Sequence, residues 1–201
     1  MDRHEINNVF VIINPASGQD RPLLGTLNRA FNARGINWDV GLTKKAGDAL
    51  RLAREAVLAG ADAVAVYGGD GTVMEAASGL SGSGVPLAIF PGGTANVMSI
   101  ELGIPGDLEQ AVALVSGDAR RIRTIDMGRV RGSVMNEQMF LLRLSIGYFA
   151  RMTEGAAREN KNRMGVLAYA FSALNALPQA EMVRFRVEID GEVVESEGVT
   201  C

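Results

Sequence analysis

The fold is decided by one stretch of nine residues, Val64-Ala65-Val66-Tyr67-Gly68-Gly69-Asp70-Gly71-Thr72. Its first half is a continuous apolar run, which is typical of a parallel strand covered on both faces. Its second half places three glycines around a single acid. Glycine lets the backbone approach a phosphate closely, and the start of a helix offers free N–H groups to it. The stretch therefore predicts a buried strand followed by a nucleotide phosphate site.

Two further loops follow apolar runs in the same way. Residues 9–13 precede Asn14-Pro15-Ala16-Ser17-Gly18, and residues 86–90 precede Pro91-Gly92-Gly93-Thr94-Ala95-Asn96. Apolar residues also recur at helical spacing over 49–57 and 108–115. Strands that alternate with amphipathic helices predict an α/β fold, a three-layer nucleotide-binding domain over residues 1–120 with a parallel sheet. Ligands of such sheets bind at the carboxyl ends of the strands, where these loops lie.

Asp70 is the residue of this set that points to metal chemistry. Its carboxylate would lie beside the nucleotide phosphates, and these negative groups repel each other unless Mg²⁺ bridges them. We therefore expect Asp70 to be catalytic and to hold the metal. A second interpretation is a capping box, in which Thr72 bonds forward and Glu75 bonds back. Both interpretations stay open, because a capped helix start also binds anions, and Glu75 could equally contact a nucleotide hydroxyl.

The pattern changes after about residue 120. Apolar residues alternate with polar ones over 140–146 and 183–189, which is typical of antiparallel strands with one wet face. Asp190-Gly191 then predicts a tight hairpin turn, and the pattern over residues 162–177 predicts a helical insert between the strands. We therefore predict that residues 121–201 are part of a second, mostly antiparallel β domain, whose return strand is barely complete at the end of the chain.

Several functional classes are disfavoured by composition. The chain has 20 basic and 23 acidic residues, a net charge of −3, so it lacks the concentrated positive charge that nucleic-acid binding needs. A single cysteine excludes disulfides and cysteine metal sites, and a single histidine, His4, makes a Ser-His-Asp triad improbable. Neither a Walker loop nor a strand-borne Rossmann fingerprint occurs. The leader lacks a secretory pattern and the apolar runs are too short to span a bilayer, so we expect a cytoplasmic protein.

The three loops together, followed by Leu102-Gly103-Ile104-Pro105, resemble those of the diacylglycerol kinase catalytic domain family. That family includes sphingosine kinases and bacterial lipid kinases, and it shares a superfamily with NAD kinase and phosphofructokinase. The resemblance covers residues 9–191. It implies an ATP-dependent lipid kinase that uses Mg²⁺ and transfers the γ-phosphate of ATP to a lipid hydroxyl.

The resemblance also implies roles for individual residues. Those expected to bind the nucleotide are Asn14, Ser17, Gly18, Thr43, Gly69, Asp70, Gly71, Thr72, Glu75, Gly93, Thr94 and Asn96. Asp126 matches an acid that belongs to a magnesium-water network in some members. Some of those members carry a second acid where this chain has Val97, so the resemblance does not extend to the full metal network.

The lipid-facing half of the family is matched by residues 144–150 and 164–169. Lys161 and Arg163 are candidates for contact with a phosphate or the substrate, or else form an exposed helix start. The apolar helix from residue 166 to 177 is either core or the lining of an acyl-chain channel. The expected partners are a nucleotide and a lipid substrate, with transient peripheral contact at the inner membrane face and no nucleic acid. An unpaired edge of the second sheet could also pair with another copy of the chain, giving a homo-oligomer.

Two alternatives remain open from the sequence. The aspartate loop is shared with NAD kinase, which acts on a soluble substrate, although the apolar helix and the third loop favour the lipid branch. The other alternative is a nucleotide-binding fragment without catalysis. The family's general base is an aspartate late in the second domain, and no matching segment occurs before Cys201. We therefore expect this chain alone to transfer phosphate slowly or not at all.

Overall fold

The computed structural model describes residues 6–17, 22–116, 122–132, 136–146, 182–189 and 191–199. The chain divides into two compact units, Met1–Leu142 and Arg143–Cys201. The domain boundary expected near residue 121 falls inside the first of these units. Among the described residues, no helix combines the length and the apolar character needed to cross a membrane.

A parallel sheet forms the centre of the first unit. Its strands are β1 (Asn8–Ile13), β2 (Asn37–Leu42), β3 (Ala63–Gly68) and β4 (Leu87–Pro91). They lie in the order β2-β1-β3-β4, and each neighbouring pair is parallel. All six residues of β3 are buried, as a continuous apolar run predicts. The α/β fold class with a parallel sheet, followed by small antiparallel sheets, is thus confirmed.

Helices cover both faces of this sheet. They are α1 (Leu23–Asn32), α2 (Asp48–Leu58), α3 (Asp70–Leu80), α4 (Val97–Glu101) and α5 (Leu108–Ser116). Successive residues of a strand point to opposite faces, so Val11 packs with α1 and α5 while Ile12 packs with α2 and α3. Phe31 and Phe90 are fully buried in the first of these clusters. Burying each such side chain contributes about 1.5–3 kcal/mol to folding.

A short antiparallel pair completes the first unit. It consists of β5 (Gly128–Val130) and β6 (Gln138–Phe140), and β6 contacts α3. Leu141 packs against the α2–α3 cluster, which extends this unit beyond residue 121. The strand expected over 140–146 is wrong, because β6 ends at Phe140. Leu142 has a φ of 66°, a left-handed conformation that breaks an extended path, and the side chain of Ile146 is exposed.

The second unit contains the predicted hairpin. Strands β7 (Val183–Ile189) and β8 (Glu192–Gly198) pair antiparallel, and Ile189 pairs with Glu192. The connection is therefore two residues long, and Gly191 has a φ of 88°, as a tight hairpin turn requires. The Asp190-Gly191 turn prediction is confirmed. The predicted helix over 162–177 lies outside the described residues.

Candidate active site

The sheet order creates a crevice between β1 and β3. The chain leaves β1 towards α1 on one face of the sheet and leaves β3 towards α3 on the other face. The carboxyl ends of these neighbouring strands are therefore separated by loops that run in opposite directions. This is the topological switch point at which open α/β sheets bind ligands. The first two predicted loops lie at this point, and the third follows the adjacent strand β4.

Asn14 joins the first loop to α3. Its backbone N–H donates to the Tyr67 carbonyl at 2.9 Å, and its Nδ2 donates to Thr72 Oγ1 at 2.9 Å. Its Oδ1 accepts from the Ala16 N–H at 3.0 Å, which closes the loop on itself. Thr72 is buried, and a Cβ at Gly68 would lie 2.8 Å from its Cβ. The hydrogen bond between Asn14 and Thr72 thus links the loop after β1 to the helix after β3.

The start of α3 differs from the expected capping box. The N-cap residue is Gly69, in an extended conformation, and it makes no side-chain cap. Thr72 is already inside the helix, and its Oγ1 accepts the hydrogen bond from Asn14 instead. The capping-box interpretation is therefore wrong, because the helix begins at Asp70, two residues before Thr72. The amides of Asp70 and Gly71 lie in the first turn, where N–H groups have no partner within the helix. A Cβ at Gly71 would meet nothing within 4 Å.

The third loop contacts the second through backbone atoms. A Cβ on Gly93 would lie only 2.6 Å from the Cα of Gly69, so glycine alone fits this approach. Asn96 holds the loop: its Oδ1 accepts from the Gly93 N–H at 2.9 Å, and its Nδ2 donates to the Gly93 carbonyl at 2.7 Å. Asn96 itself is left-handed, with a φ of 48°. From the first loop, Ser17 Oγ lies 3.9 Å from where a Gly69 Cβ would be. The three loops therefore meet at Gly69.

Asp70 is half-buried at this meeting point. Its Oδ1 accepts from the Met98 N–H at 3.2 Å, which ties the start of α3 to α4. Within the described part of the chain, its Oδ2 makes no hydrogen bond or ion pair. That part also holds no group of three or more His, Cys, Asp or Glu side chains placed to bind a metal ion. Asp70 Oδ2 is one carboxylate oxygen that could bind a magnesium ion, and Mg²⁺ commonly takes its other ligands from phosphates and water.

Glu75 has a role that its position in the sequence did not show. Its Oε1 accepts from the Gly47 N–H at 2.9 Å, and its Oε2 accepts from the Ala49 N–H at 3.2 Å. Both amides belong to the start of α2, so Glu75 reaches across from α3 and caps a different helix. Sequence spacing alone cannot reveal such a contact, because it depends on how α2 and α3 pack.

Asp48 was missed by sequence reasoning. This buried residue begins α2, and its Oδ2 accepts from the Lys44 and Lys45 N–H groups at 2.8 and 3.0 Å. The hydrogen bond from the Lys44 backbone is the main cause that lowers the pKa of Asp48, while burial opposes the shift. An acid placed directly after a glycine at a helix start was the available signal. Asp48 shapes the loop that follows β2.

The remaining predicted residues are distributed as follows. Thr43 is half-buried directly after β2, and its N–H donates to the Ile13 carbonyl at 2.9 Å, so it lies at the same edge of the sheet. Thr94 is exposed in the third loop. Asp126 is exposed in the segment before β5, and within the described residues no hydrogen bond joins it to Asp70. Gly18, Lys161 and Arg163 lie outside the described residues, so their predicted roles stay predictions.

Comparison with known proteins agrees with this architecture. The chain matches the diacylglycerol kinase catalytic domain over residues 8–130. It is 31% identical over 193 residues to a diacylglycerol kinase of Bacillus subtilis, covering 93% of this chain and 61% of that protein. It is 33% identical over 196 residues to one of Mycobacterium tuberculosis, covering 94% and 61%.

Solved structures show the same relationship. A crystal structure of a diacylglycerol kinase from Bacillus anthracis str. Sterne superposes with a TM-score of 0.70 at 28% identity, covering 98% of this chain and 63% of that one. The chain thus spans about three fifths of the length of these relatives. Because the family match covers more than half of the chain, the protein belongs to the diacylglycerol kinase catalytic domain family.

Proposed function

We propose that this chain provides the nucleotide-binding part of an ATP-dependent lipid kinase, which transfers the γ-phosphate of ATP to a lipid hydroxyl. The observation that carries the proposal is the meeting of three loops at Gly69, with a Gly93 backbone contact that leaves no room for a side chain. Around that point lie the first-turn amides of α3 and Asp70 Oδ2, which has no hydrogen bond or ion pair within the described residues. This combination offers N–H donors to phosphate oxygens and one carboxylate oxygen to a cation.

Different residues of the site would bind the phosphates, hold the metal ion and position the loops. The amides of Asp70 and Gly71 would orient the phosphates, since the helix start carries partial positive charge. Asp70 would hold Mg²⁺, which neutralises charge on the transferring phosphoryl group when bound. Asn14 and Thr72 keep the two loops at a fixed separation. Their contribution is positioning, on which phosphoryl-transfer catalysis largely depends.

The lipid acceptor is supported by the relatives rather than by the site. Curated relatives are named diacylglycerol kinase, or lipid kinase in Streptococcus pneumoniae. We expect a cytoplasmic protein, which a lipid substrate would bring into transient contact with a membrane surface. Lys161 and Arg163 remain candidates for contact with the lipid phosphate, and Asp126 remains a candidate for the metal-water network.

Thermal unfolding with ATP–Mg²⁺, with ATP alone and with NAD tests the nucleotide. A ligand at 100 times its Kd stabilises the native state by about 2.7 kcal/mol, so binding raises Tm. We expect ATP–Mg²⁺ to give the largest rise. Protection by NAD without protection by ATP would contradict the proposal and favour the NAD kinase alternative.

Asp70→Asn tests the metal assignment. The variant keeps Oδ1 as an acceptor for Met98 but replaces the free carboxylate oxygen by an amide, so the Mg²⁺-dependent part of the ATP shift should largely disappear. Asp39→Asn is the matched control, because Asp39 is exposed on β2 and, within the described residues, its side chain accepts a hydrogen bond only from the neighbouring Val40 N–H. An unchanged Mg²⁺-dependent shift in Asp70→Asn would remove Asp70 from the site.

Because we expect this chain alone to transfer phosphate slowly, the acceptor is tested in long incubations with γ-labelled ATP and diacylglycerol in mixed micelles, with NAD as the competing acceptor. Label in the lipid product supports the assignment. Label transferred to NAD instead would overturn it.

A further inference from the structure

The Glu75 carboxylate, on α3, accepts hydrogen bonds from backbone amides at the start of α2. Each of its carboxylate oxygens accepts one hydrogen bond, from Gly47 at 2.9 Å and from Ala49 at 3.2 Å. These two N–H groups lie at the N-terminus of α2, where amides have no partner within the helix. The α2 N-cap, Gly47, has no side chain to cap with, and its φ of 87° turns the loop into the helix. Glu75 therefore supplies from α3 the anionic cap that α2 lacks.

The loop that Glu75 fixes lies at the edge of the candidate active site. This β2–α2 loop, residues 43–47, begins at Thr43, whose N–H is bonded to the Ile13 carbonyl at the end of β1. Asp48 accepts from Lys44 and Lys45 and so sets the path of the loop from within. Glu75 then attaches its far end to α3. Both ends of the β2–α2 loop are thus anchored to the elements that carry Asn14 and Asp70.

The hydrogen bonds that Glu75 already accepts argue against direct contact with a nucleotide. Glu75 follows Asp70 by five residues, which is about 7.5 Å along the helix axis from the start of α3. Its two oxygens are already engaged. Each retains a second lone pair, so a nucleotide hydroxyl is a chemical alternative that experiment must separate.

We propose that Glu75 is a positioning residue that holds the β2–α2 loop against α3, and that it is not a ribose ligand. It acts on nucleotide affinity through the loop, and so through Thr43. This role concerns the site of the proposed function and rests on that function for its effect on the nucleotide. The anchoring of the loop stands independently of it.

Amide hydrogen exchange in the absence of nucleotide tests the anchoring. In Glu75→Ala, exchange at the Gly47 and Ala49 amides should accelerate about tenfold, because each loses a hydrogen bond to a charged acceptor. Glu109→Ala is the control: Glu109 is an exposed, ion-paired glutamate on α5, on the other face of the sheet. Unchanged protection of both amides in Glu75→Ala overturns the proposal.

The ribose question is settled by comparing ATP with 2′,3′-dideoxy-ATP. If Glu75 acts through the loop, Glu75→Ala weakens both nucleotides by the same factor, and the ratio of their Kd values stays within about twofold of the wild-type ratio. If instead the ratio of the two Kd values falls to about one in Glu75→Ala but not in the wild type, Glu75 is a ribose ligand and the proposal is overturned.

Two further outcomes remain decisive. A wild-type chain that binds neither nucleotide refutes the proposed function, while amide exchange still decides the anchoring role. If Glu75→Ala fails to fold, Glu75→Gln replaces it. That variant keeps one acceptor oxygen, so exchange should accelerate at one of the two amides. Wild-type exchange rates at both amides would overturn the proposal.

Discussion

Strands β3 and β8 both form regular backbone ladders, yet their surroundings differ. Every residue of β3 is buried, whereas β8 is exposed from Glu192 to Glu197. β3 is paired on both edges and covered by helices on both faces. In the described structure β8 pairs with β7 alone, and a two-stranded hairpin is marginally stable by itself. The difference shows that packing stabilises the first region, while turn geometry and the backbone ladder define the second.

The largest expected effect comes from removing core volume in the first region. Phe90→Ala in β4 should lower the free energy of unfolding by roughly 3–5 kcal/mol, because Phe90 is fully buried and its loss leaves a cavity. The counterpart is Val194→Ala in β8, where the side chain is 54% exposed and the expected change is within about 0.5 kcal/mol. Urea unfolding of each variant measures its change in the free energy of unfolding. Equal losses would mean that the two strands do not differ as described.

A smaller effect should follow from crowding the loops rather than the core. Gly93→Ala places a Cβ 2.6 Å from the Gly69 Cα, so the second and third loops must separate. We expect a loss of about 1–3 kcal/mol in stability, together with loss of ATP–Mg²⁺ protection. Gly71→Ala is the matched variant for stability, since its Cβ enters open space on a helix. Gly71→Ala should be neutral or stabilising; equal destabilisation by both variants would contradict the close backbone contact.

The smallest effect is confined to acid pH. Asp48 has a lowered pKa, so its carboxylate contributes fully above the ordinary value of 3.8 and the contribution is lost as pH falls through the lower folded value. Stability of the wild type should therefore decline with pH below about 4 more steeply than that of Asp48→Asn. Chemical unfolding between pH 3 and 7 measures this. Parallel curves for the two proteins would show that the hydrogen bonds to Asp48 do not depend on its charge.

The buried strands were the most predictable part of the fold. The apolar runs at 9–13, 64–67 and 86–90 correspond to Asn8–Ile13, Ala63–Gly68 and Leu87–Pro91. Strand β2 was missed, because Asn37–Leu42 lies at the sheet edge, half exposed, and mixes polar with apolar residues. The prediction of a strand over 140–146 was wrong because an alternating pattern forms a strand only where a neighbouring strand pairs with it. Within the described residues, the pairing of β6 with β5 ends at Phe140.

The candidate site, too, could be predicted only in part from the sequence. The three glycine loops could be identified because each follows a buried strand, and parallel strands bring their carboxyl ends together. What local spacing could not show is which atoms meet across elements. Thr72 and Glu75 fit a capping box within α3, but in the folded chain Thr72 bonds Asn14 and Glu75 bonds the start of α2. Both contacts depend on tertiary packing.

The strand order has a consequence for how the chain folds. Val9 of β1 pairs with Ala63 of β3, so the central ladder of the sheet joins segments that are far apart in sequence. During synthesis β1 leaves the ribosome long before β3, and only the edge strand β2 can pair with it in the interval. Closing so long a connection costs chain entropy before any contact is gained, which slows folding. The apolar segment Val9–Ile13 therefore keeps an unpaired edge that is open to aggregation until β3 has been synthesised.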